Sequence, residues 1–358
     1  MHLFRQTLKG AGFLSGAEIA NQACSFARNI ILARFLTKAD FGVAALLAMV
    51  LTLFEMTSKM ALGQLVVQSK RGEDRAFVDS VQFAQVSVGL GSAAMLVIFA
   101  WPISHFFAGA HYFASILALA LIPLVNGLSN LDLYRRARQL GFGRLVLADM
   151  IPNLIVTLAA WPLAVYFRDY RAVVCLLLAR AILSSTLSQF LAERPFHPRL
   201  ERASLRESLA FGWPLLLSGL IQFGNFQGDS MVVAAGYPLA KLGEFSVALT
   251  MAMTPAFALM RVCQSLILPV LSEVQDDLSH LTRRYQKYVD LTALLACTAT
   301  LGMLFCGEPV VVLFFGAKYA GVGILASWLI AAQGLRISSL KAASAMAAKV
   351  NGPWLLAG

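Results

Sequence analysis

The chain consists of long apolar segments separated by short polar or basic ones. Ten segments approach or exceed the ~20 residues that an α-helix needs to cross a bilayer. Residues 80–131 contain no Asp, Glu, Lys or Arg, and Pro102 and Gly109 mark a turn within that run. The pattern predicts an all-α polytopic membrane protein with about ten transmembrane helices. We place them at residues 12–34, 39–67, 78–102, 110–132, 145–167, 171–193, 209–235, 241–268, 286–307 and 320–345.

Composition agrees with this pattern. The 358 residues are 58% hydrophobic and 13% charged, whereas a soluble domain is about 25% charged. A soluble enzyme, a secreted disulfide scaffold and a disordered protein are therefore poor interpretations. The sequence contains no phosphate-binding GxxxxGK[ST] loop, no HExxH, no GxSxG and no Cys/His metal cluster. We expect neither an enzyme nor a cofactor or metal site.

The distribution of Lys and Arg predicts the orientation. Eighteen of them lie in the N-terminal segment and in loops that the ten helices place on the same side, and six lie on the other side. Because cytoplasmic loops are enriched in Lys and Arg, we expect a cytoplasmic N-terminus. The net charge of +10 follows from these loops and does not indicate a nucleic-acid partner.

Two sequence patterns occur twice. ADFGVAAL around Asp40 resembles GEFSVALT around Glu244, an offset of 204, and WPISHFFAGAHY from Trp101 resembles EPVVVLFFGAKY from Glu308, an offset of 207. The repeat predicts two related bundles: a six-helix lobe over residues 1–200 and a second lobe over 201–358 with about four helices. Residues 151–204 have no counterpart in the second copy. We therefore expect that the second bundle is incomplete and that the chain is a shortened form of a larger protein; a natural ten-helix variant is the alternative.

Polar side chains form stripes along four of the predicted helices. Each Arg or Lys at mid-membrane costs roughly 2.5–3.5 kcal/mol on insertion scales, so we expect these stripes to line one cationic cavity between the bundles. Interhelical salt bridges, such as one between Glu55 and Lys59 at i, i+4, are the alternative. The stripes are Glu18, Asn21, Gln22, Ser25, Arg28 and Asn29; Thr52, Glu55, Ser58 and Lys59; Ser218, Gln222, Asn225 and Asp229; and Thr254, Arg261 and Ser265.

Several segments resemble a known family. LARFLTKADFGVAALLAMV from Leu32 and GQLVVQSK from Gly63 resemble the start of bacterial polysaccharide or O-antigen flippases. LGEFSVALTMAMTPAFALMRVCQSLILPVLSEVQDDLSHL from Leu242 resembles the start of their second lobe. These proteins belong to the multidrug/oligosaccharidyl-lipid/polysaccharide exporter superfamily. The resemblance implies a V-shaped fold with a central cavity.

The resemblance also implies a function: flipping of polyprenyl-pyrophosphate-linked oligosaccharides across the bacterial cytoplasmic membrane, for export of O-antigen, capsule or exopolysaccharide. Membrane lipids and polysaccharide polymerase machinery would be its partners. SFARNIILARF is similar to the first helix of lipid II flippases, in which Arg28 corresponds to a cavity arginine. Asn29 stands where those proteins usually carry an acid, so that role is not transferred.

The expected roles of the polar residues follow from this interpretation. Arg28, Lys59 and Arg261 would bind the pyrophosphate through charge-assisted hydrogen bonds. The amides of Asn21, Gln22, Gln222 and Asn225 would contact sugar hydroxyls, and Asp229 or Glu18 would bind a coupling ion. The alternatives are a cation-coupled multidrug exporter and a non-transporting scaffold or fragment. The basic character of the deepest charges argues against the exporter.

Overall fold

The computed structural model describes residues 2–58, 60–108, 112–139, 141–196, 201–254 and 278–333. Every regular element in these ranges is helical. The helices are α1 (His2–Phe35), α2 (Lys38–Ser58), α3 (Met60–Gln68), α4 (Arg75–Ile103), α5 (Phe113–Leu119), α6 (Leu121–Gly127), α7 (Asp132–Arg138), α8 (Gly143–Phe167), α9 (Arg171–Leu191), α10 (Arg202–Gly236), α11 (residues 239–254), α12 (Leu278–Phe315) and α13 (Val322–Gln333). The π-helical turn Ser104–Ala108 extends α4, and the 3-10 turn Ala317–Tyr319 follows α12.

The lengths and compositions of these helices confirm an all-α polytopic membrane protein. Six helical segments in the described ranges are long and apolar enough to cross a bilayer, or seven if α5–α6 and α7, bent by 52°, count as one broken span. The six are Lys38–Met56, Arg75–Phe107, Gly143–Phe167, Arg171–Leu191, Arg206–Gly236 and Cys297–Phe315. α1 has 34 residues and is long enough to span, but its polar stripe keeps it outside this set. The predicted spans 241–268 and 320–345 run beyond the described residues, so the count of ten stays a prediction.

One predicted span is wrong as a continuous helix. The segment predicted at 110–132 is divided near Ala120 into α5 and α6. Pro123 explains the division. Proline has no N–H to bond to the carbonyl four residues before it, and it is best accommodated in the first turn of a helix. A new helix therefore begins at Leu121.

The residues from Met1 to Ser246 form one compact unit. Its apolar core joins α2, α4, α5, α6 and α9 through buried side chains such as Leu47, Leu96 and Ile116. α4 and α6 approach closely, since a Cβ added to Gly89 would lie 2.7 Å from the Pro123 carbonyl oxygen. Small residues at such positions allow helices to pack at short range in a membrane. The bundle therefore positions α1, α2, α6, α8 and α9, which carry the polar groups described below.

α10 also belongs to this first unit. Phe223 of α10 is buried in a cluster with Leu46 and Met49 of α2. Gly219 lies against the α2 backbone, because a Cβ placed there would be 3.3 Å from the Met56 carbonyl oxygen. α10 thus packs on α2 through one face. The lobe boundary expected at residue 200 stays a prediction.

The residues from Val247 to Gly358 form the second compact unit. The Glu308 carboxylate of α12 accepts hydrogen bonds from the backbone N–H groups of Gly321 at 2.5 Å and Gly323 at 3.0 Å. It caps the beginning of α13, where unpaired N–H groups favour an anion. Gly316 and Gly321 adopt φ values of 97° and 89° in the turn, which glycine tolerates without steric cost. These contacts fix α12 and α13 as a helical hairpin.

Candidate functional site

The polar stripe of α1 is bonded to α8. Asn21 Nδ2 donates to Asp149 Oδ2 at 2.9 Å. Asn153 Nδ2 donates to both the Asn21 side-chain oxygen and the Asn21 backbone oxygen, each at 3.1 Å. Two helical turns further along α1, Arg28 Nη1 donates to Asn153 Oδ1 at 2.9 Å. Asn153 therefore uses both its amide nitrogen and its amide oxygen to join the two ends of the stripe.

A third helix adds a second cation to this arrangement. Arg180 of α9 donates to Asp149 Oδ1 at 3.2 Å and forms an ion pair with it. Thr157 hydroxyl donates to the Asn153 backbone oxygen at 2.7 Å and to the Cys24 backbone oxygen at 3.3 Å. We name these residues the α1–α8–α9 polar cluster: Asn21, Arg28, Asp149, Asn153, Thr157 and Arg180.

The cluster is cationic and only partly buried. It contains two guanidinium groups and one carboxylate, so one positive charge is not neutralised within it. Asn153 is 1% exposed, whereas the side chains of Asp149 and Arg180 keep 52% and 41% of their exposure. Asn153 is therefore the buried residue that joins the helices, and the Asp149–Arg180 pair is the exposed part of the cluster. A cationic group beside apolar walls attracts anions more strongly than it would in open water.

The remaining residues predicted for the site lie elsewhere. Gln22 and Glu18 are half-buried on α1. Three residues on α10 are exposed and are not members of the polar cluster: Gln222, Asn225 and Asp229. Lys59 and Arg261 lie outside the described residues. The structure thus brings Asn21 and Arg28 together through Asn153, and the substrate and coupling-ion roles of all these residues stay predictions.

Sequence reasoning missed Asp149 and Asn153. The signal was present, because Asp149, Asn153 and Thr157 recur every four residues on an otherwise apolar helix. That spacing places them on one helical face, by the same criterion that identified the α1 stripe. Arg180 of the neighbouring helix α9 was missed as well, and it pairs with Asp149.

A second polar contact crosses from α2 to α6. Glu55, for which a partner at Lys59 was considered, accepts a hydrogen bond from Asn126 Nδ2 at 2.9 Å. Asn126 is 2% exposed. The contact therefore places a half-buried carboxylate against a fully buried amide in the first unit.

The first turns of α2 and α11 are joined by an ionic and backbone contact. Glu244 accepts from Lys38 Nζ at 2.7 Å and from Lys241 Nζ at 2.8 Å. The backbones touch as well, because a Cβ on Gly42 would overlap the Leu239 carbonyl oxygen and one on Gly243 would overlap the Lys38 carbonyl oxygen. Glycine is required wherever two backbones approach this closely. We name this contact the α2–α11 crossing.

A network of charged side chains, some of them buried, joins the helices at the end of the first unit opposite the α2–α11 crossing. This end is the expected cytoplasmic side. Asp132 Oδ1 accepts from Arg135 Nε at 2.6 Å, and the two side chains are only 3% and 6% exposed. Asp132 Oδ2 accepts from the backbone N–H of Glu193 at 2.9 Å. Glu193 also pairs with Arg135 at 3.3 Å, with Arg144 at 3.0 Å and with Arg136. This network fastens α7 to the start of α8 and the end of α9.

The loop between α3 and α4 is fastened to α10 in the same way. Arg71 Nη2 donates to Glu201 Oε2 at 3.0 Å, and Arg71 Nη1 donates to the Ser204 hydroxyl at 3.4 Å. The hydrogen bond to Glu201 raises the pKa of the exposed Arg71 guanidinium above its ordinary value.

In the described part of the chain, no group of three or more His, Cys, Asp or Glu residues could hold a metal ion.

Solved structures of similar fold are membrane transporters. An inward-facing multidrug resistance MATE family transporter of the MOP superfamily matches with a TM-score of 0.65 at 13% identity, covering 90% of this chain and 83% of that one. An outward-facing structure from the same family matches with a TM-score of 0.52 at 16% identity, covering 93% and 85%. At this identity the likeness shows the fold alone. This chain shares the fold of these polytopic α-helical membrane proteins.

The chain belongs to the polysaccharide biosynthesis protein family, whose model matches residues 31–323. It is 25% identical over 297 residues to the succinoglycan biosynthesis transport protein ExoT of Rhizobium meliloti, covering 81% of this chain and 58% of that protein. It is 21% identical over 334 residues to the lipopolysaccharide biosynthesis protein WzxC of Escherichia coli, covering 90% and 66%. A membrane protein in the cps region of Klebsiella pneumoniae is 20% identical over 362 residues, covering 100% and 72%. The chain therefore spans between 58% and 72% of the lengths of these relatives.

Proposed function

We propose that this protein is a flippase that moves polyprenyl-pyrophosphate-linked oligosaccharides across the bacterial cytoplasmic membrane for polysaccharide export. The observation that carries the proposal is the family match over residues 31–323. The names of two relatives, a succinoglycan biosynthesis transport protein and a lipopolysaccharide biosynthesis protein, point to the same process. The proposal includes a cytoplasmic N-terminus and polysaccharide polymerase machinery as the partner that receives the flipped substrate.

The charge of the α1–α8–α9 polar cluster suits an anionic head group. Arg28 and Arg180 supply two guanidinium groups, each of which can donate paired hydrogen bonds to phosphate oxygens. Asp149 holds Arg180 while no ligand is bound. A pyrophosphate that bonds to Arg180 would replace the carboxylate, so that binding exchanges one ion pair for another. Lys59 and Arg261 add further cations in this proposal.

The polar groups around these cations would recognise the sugar. Asn21, Gln22, Gln222 and Asn225 carry side-chain amides, each with a donor and an acceptor that match sugar hydroxyls. Asn21 is held in place by Asn153, and the two α10 amides are exposed. Asp229 and Glu18 are the carboxylates proposed to bind a coupling ion. The polyprenyl tail would stay in the lipid while the head group crosses by alternating access.

The second candidate function is a cation-coupled multidrug exporter, because the solved structures of similar fold are MATE family transporters. Such a protein binds cationic drugs and would be expected to use a site dominated by carboxylates. The polar cluster contains two arginines and one aspartate, and this balance favours the anionic substrate. Export of a cationic dye that depends on Asp149, without any effect on lipid-linked oligosaccharide, would support the exporter instead.

The test uses the native host. The gene is deleted, lipids are extracted, and lipid-linked oligosaccharides are identified by mass spectrometry. We expect a polyprenyl-pyrophosphate oligosaccharide to accumulate, and the 358-residue chain to relieve the accumulation. Arg28→Ala should relieve it at least tenfold less well, because a lost charge-assisted bond is worth about 1.5–3 kcal/mol.

The matched control is Arg171→Ala. Arg171 lies at the start of α9, where its side chain is 67% exposed and pairs with Asp169. Its removal takes away one positive charge on another helix of the same bundle, outside the polar cluster. Both variants must reach the membrane in equal amounts. No accumulation in the deletion strain would refute the flippase, and full activity of Arg28→Ala would remove Arg28 from the mechanism.

A further inference from the structure

The contact between α2 and α6 leaves one buried polar atom without a partner. Asn126 Nδ2 donates to Glu55 Oε1 at 2.9 Å, and the Asn126 backbone oxygen accepts from Gln85 Nε2 at 3.3 Å. Among the described residues, no donor reaches Asn126 Oδ1, which is buried. Buried amide oxygens are nearly always hydrogen-bonded. Asn126 Oδ1 is therefore a buried hydrogen-bond acceptor beside Glu55 that no donor among the described residues satisfies.

A proton on Glu55 supplies that donor. An ionised carboxylate only accepts hydrogen bonds, whereas a protonated carboxyl group both donates and accepts. A side-chain amide likewise donates through nitrogen and accepts through oxygen. A carboxylic acid and an amide can therefore form a pair with two hydrogen bonds, and the observed Nδ2 to Oε1 bond is one of the two.

We propose that Glu55 and Asn126 form a proton-binding site. The proton arrives from water at Glu55 Oε2 and is shared with Asn126 Oδ1, while Asn126 Nδ2 keeps its bond to Oε1. One O–H bond forms, and no bond between heavier atoms changes. Glu55 is half-buried and Asn126 is buried, so in this proposal the proton enters from the Glu55 side of the pair.

Few other ionisable groups compete for this role in the surroundings of Glu55. α3, α5 and α6 contain no ionisable side chain. Lys59, four residues after Glu55 in the sequence, lies outside the described residues. The groups on the other helices that pack on α2 already have partners or are exposed. Arg28 bonds to Asn153, Asp79 pairs with Arg75, Arg180 pairs with Asp149, and Asp229 is exposed on α10.

The site would couple proton binding to the charge of the bundle. An ionised Glu55 would repel an anionic head group that enters the first unit, and a protonated Glu55 would not. Proton binding would therefore favour loading of the anionic substrate, and deprotonation would favour its release. This coupling rests on the proposed flippase function, whereas the proton site itself does not.

The proton site is tested by infrared difference spectroscopy on the purified full chain in lipid vesicles. Lowering the pH should produce a carbonyl stretching band of a protonated carboxylic acid. Glu55→Gln should remove this band, because glutamine reproduces the donor and acceptor of the protonated acid but cannot gain a proton. Asn126→Leu should move the band to higher wavenumber, because the acid carbonyl loses its hydrogen-bond donor. Asp79→Asn, a buried carboxylate on neighbouring α4, is the control that should leave the band in place.

Transport is measured separately, as flipping of a lipid-linked oligosaccharide in the same vesicles with and without an imposed pH gradient. We expect a gradient that is acidic on the side where the substrate is loaded to accelerate wild-type flipping at least several-fold, and the flipping rate of Glu55→Gln to be independent of the gradient. A band that survives Glu55→Gln overturns the proton site, even if flipping is observed. The expected band with no flipping by any variant would keep the proton site and overturn the proposed function. Gradient-dependent flipping by Glu55→Gln would overturn the coupling.

Discussion

Among the residues of the α1–α8–α9 polar cluster, Asn153 is the one whose replacement should lower the free energy of unfolding most. It is 1% exposed, accepts from Arg28 at 2.9 Å and donates to two oxygens of Asn21 at 3.1 Å. Replacement by alanine removes both the acceptor and the donor and leaves the Asn21 oxygens without that partner. We therefore expect Asn153→Ala to lower the free energy of unfolding by about 2–3 kcal/mol.

The contribution of the Arg28 contact can be isolated by a double-mutant cycle. A hydrogen bond to a charged group is worth about 1.5–3 kcal/mol in soluble proteins, but interhelical hydrogen bonds in a membrane average about 0.6 kcal/mol and reach ~1.7. The bond at 2.9 Å is short and charge-assisted, so we expect a coupling energy near the upper membrane value, about 1–2 kcal/mol. The assay is reversible unfolding in mixed micelles of wild type, Arg28→Ala, Asn153→Ala and the double variant.

A second double-mutant cycle gives the coupling energy expected for two side chains that do not touch. Ser87 of α4 is exposed and bonds only to the Phe83 carbonyl oxygen of its own helix among its described contacts. Arg28→Ala and Ser87→Ala should therefore add within about 0.5 kcal/mol. If the Arg28–Asn153 coupling is no larger than this baseline, the two side chains do not interact and the hydrogen bond that defines the cluster is refuted.

Two further substitutions test the two ends of the first unit. Gly42→Ala should destabilise the protein and separate the first turns of α2 and α11, because its Cβ would overlap the Leu239 carbonyl oxygen. The control is Gly91→Ala on α4, where nothing lies within 4 Å of the added Cβ; it should stabilise the protein by up to about 1 kcal/mol. A lower melting temperature for Gly91→Ala than for Gly42→Ala would contradict the close backbone approach at the α2–α11 crossing. Asp132→Asn should cost about 1–3 kcal/mol in unfolding experiments, because the buried Arg135 loses its closest carboxylate at 2.6 Å and keeps only Glu193 at 3.3 Å and Glu73 at 3.6 Å. Asp169→Asn, whose partner Arg171 is 67% exposed, should cost less than about 1 kcal/mol, and equal effects of the two would contradict the importance of burial.

The helices and the α1 stripe could be predicted from the sequence because both depend on local patterns. Apolar runs of bilayer length define the spans, and Asn21 and Arg28 stand out as polar residues within such a run. The division of the predicted span 110–132 was harder to foresee. Pro123 signals a break, but the run is apolar on both sides of it, so hydropathy alone does not locate where one helix ends.

The partners of the polar residues could not be predicted, because they depend on which helices become neighbours. Lys59 lies at i+4 from Glu55 in the sequence, but spacing along the chain does not reveal the hydrogen bond that Glu55 accepts from Asn126 of α6. Similarly, Arg28 was expected to face a shared cavity, and its described partner is Asn153 of α8. Periodicity identifies the face on which a residue lies, but not the helix that will cover it.

The position of the accessible ions suggests where a ligand can act. At the end of the unit that carries Asp132 and Arg135, these charges are almost completely buried and bonded to one another; displacing them would open the bundle. In the polar cluster, by contrast, Asn153 holds α1 to α8 while Asp149 and Arg180 remain about half exposed. Under the proposed function, a head group would exchange partners with Asp149 and Arg180 without breaking the bonds of Asn153, whereas Arg28 would serve both binding and packing because it bonds to Asn153. This difference is why Asp149 and Arg180, and not Asn153, are the residues at which substitutions should change ligand binding with little loss of folding stability.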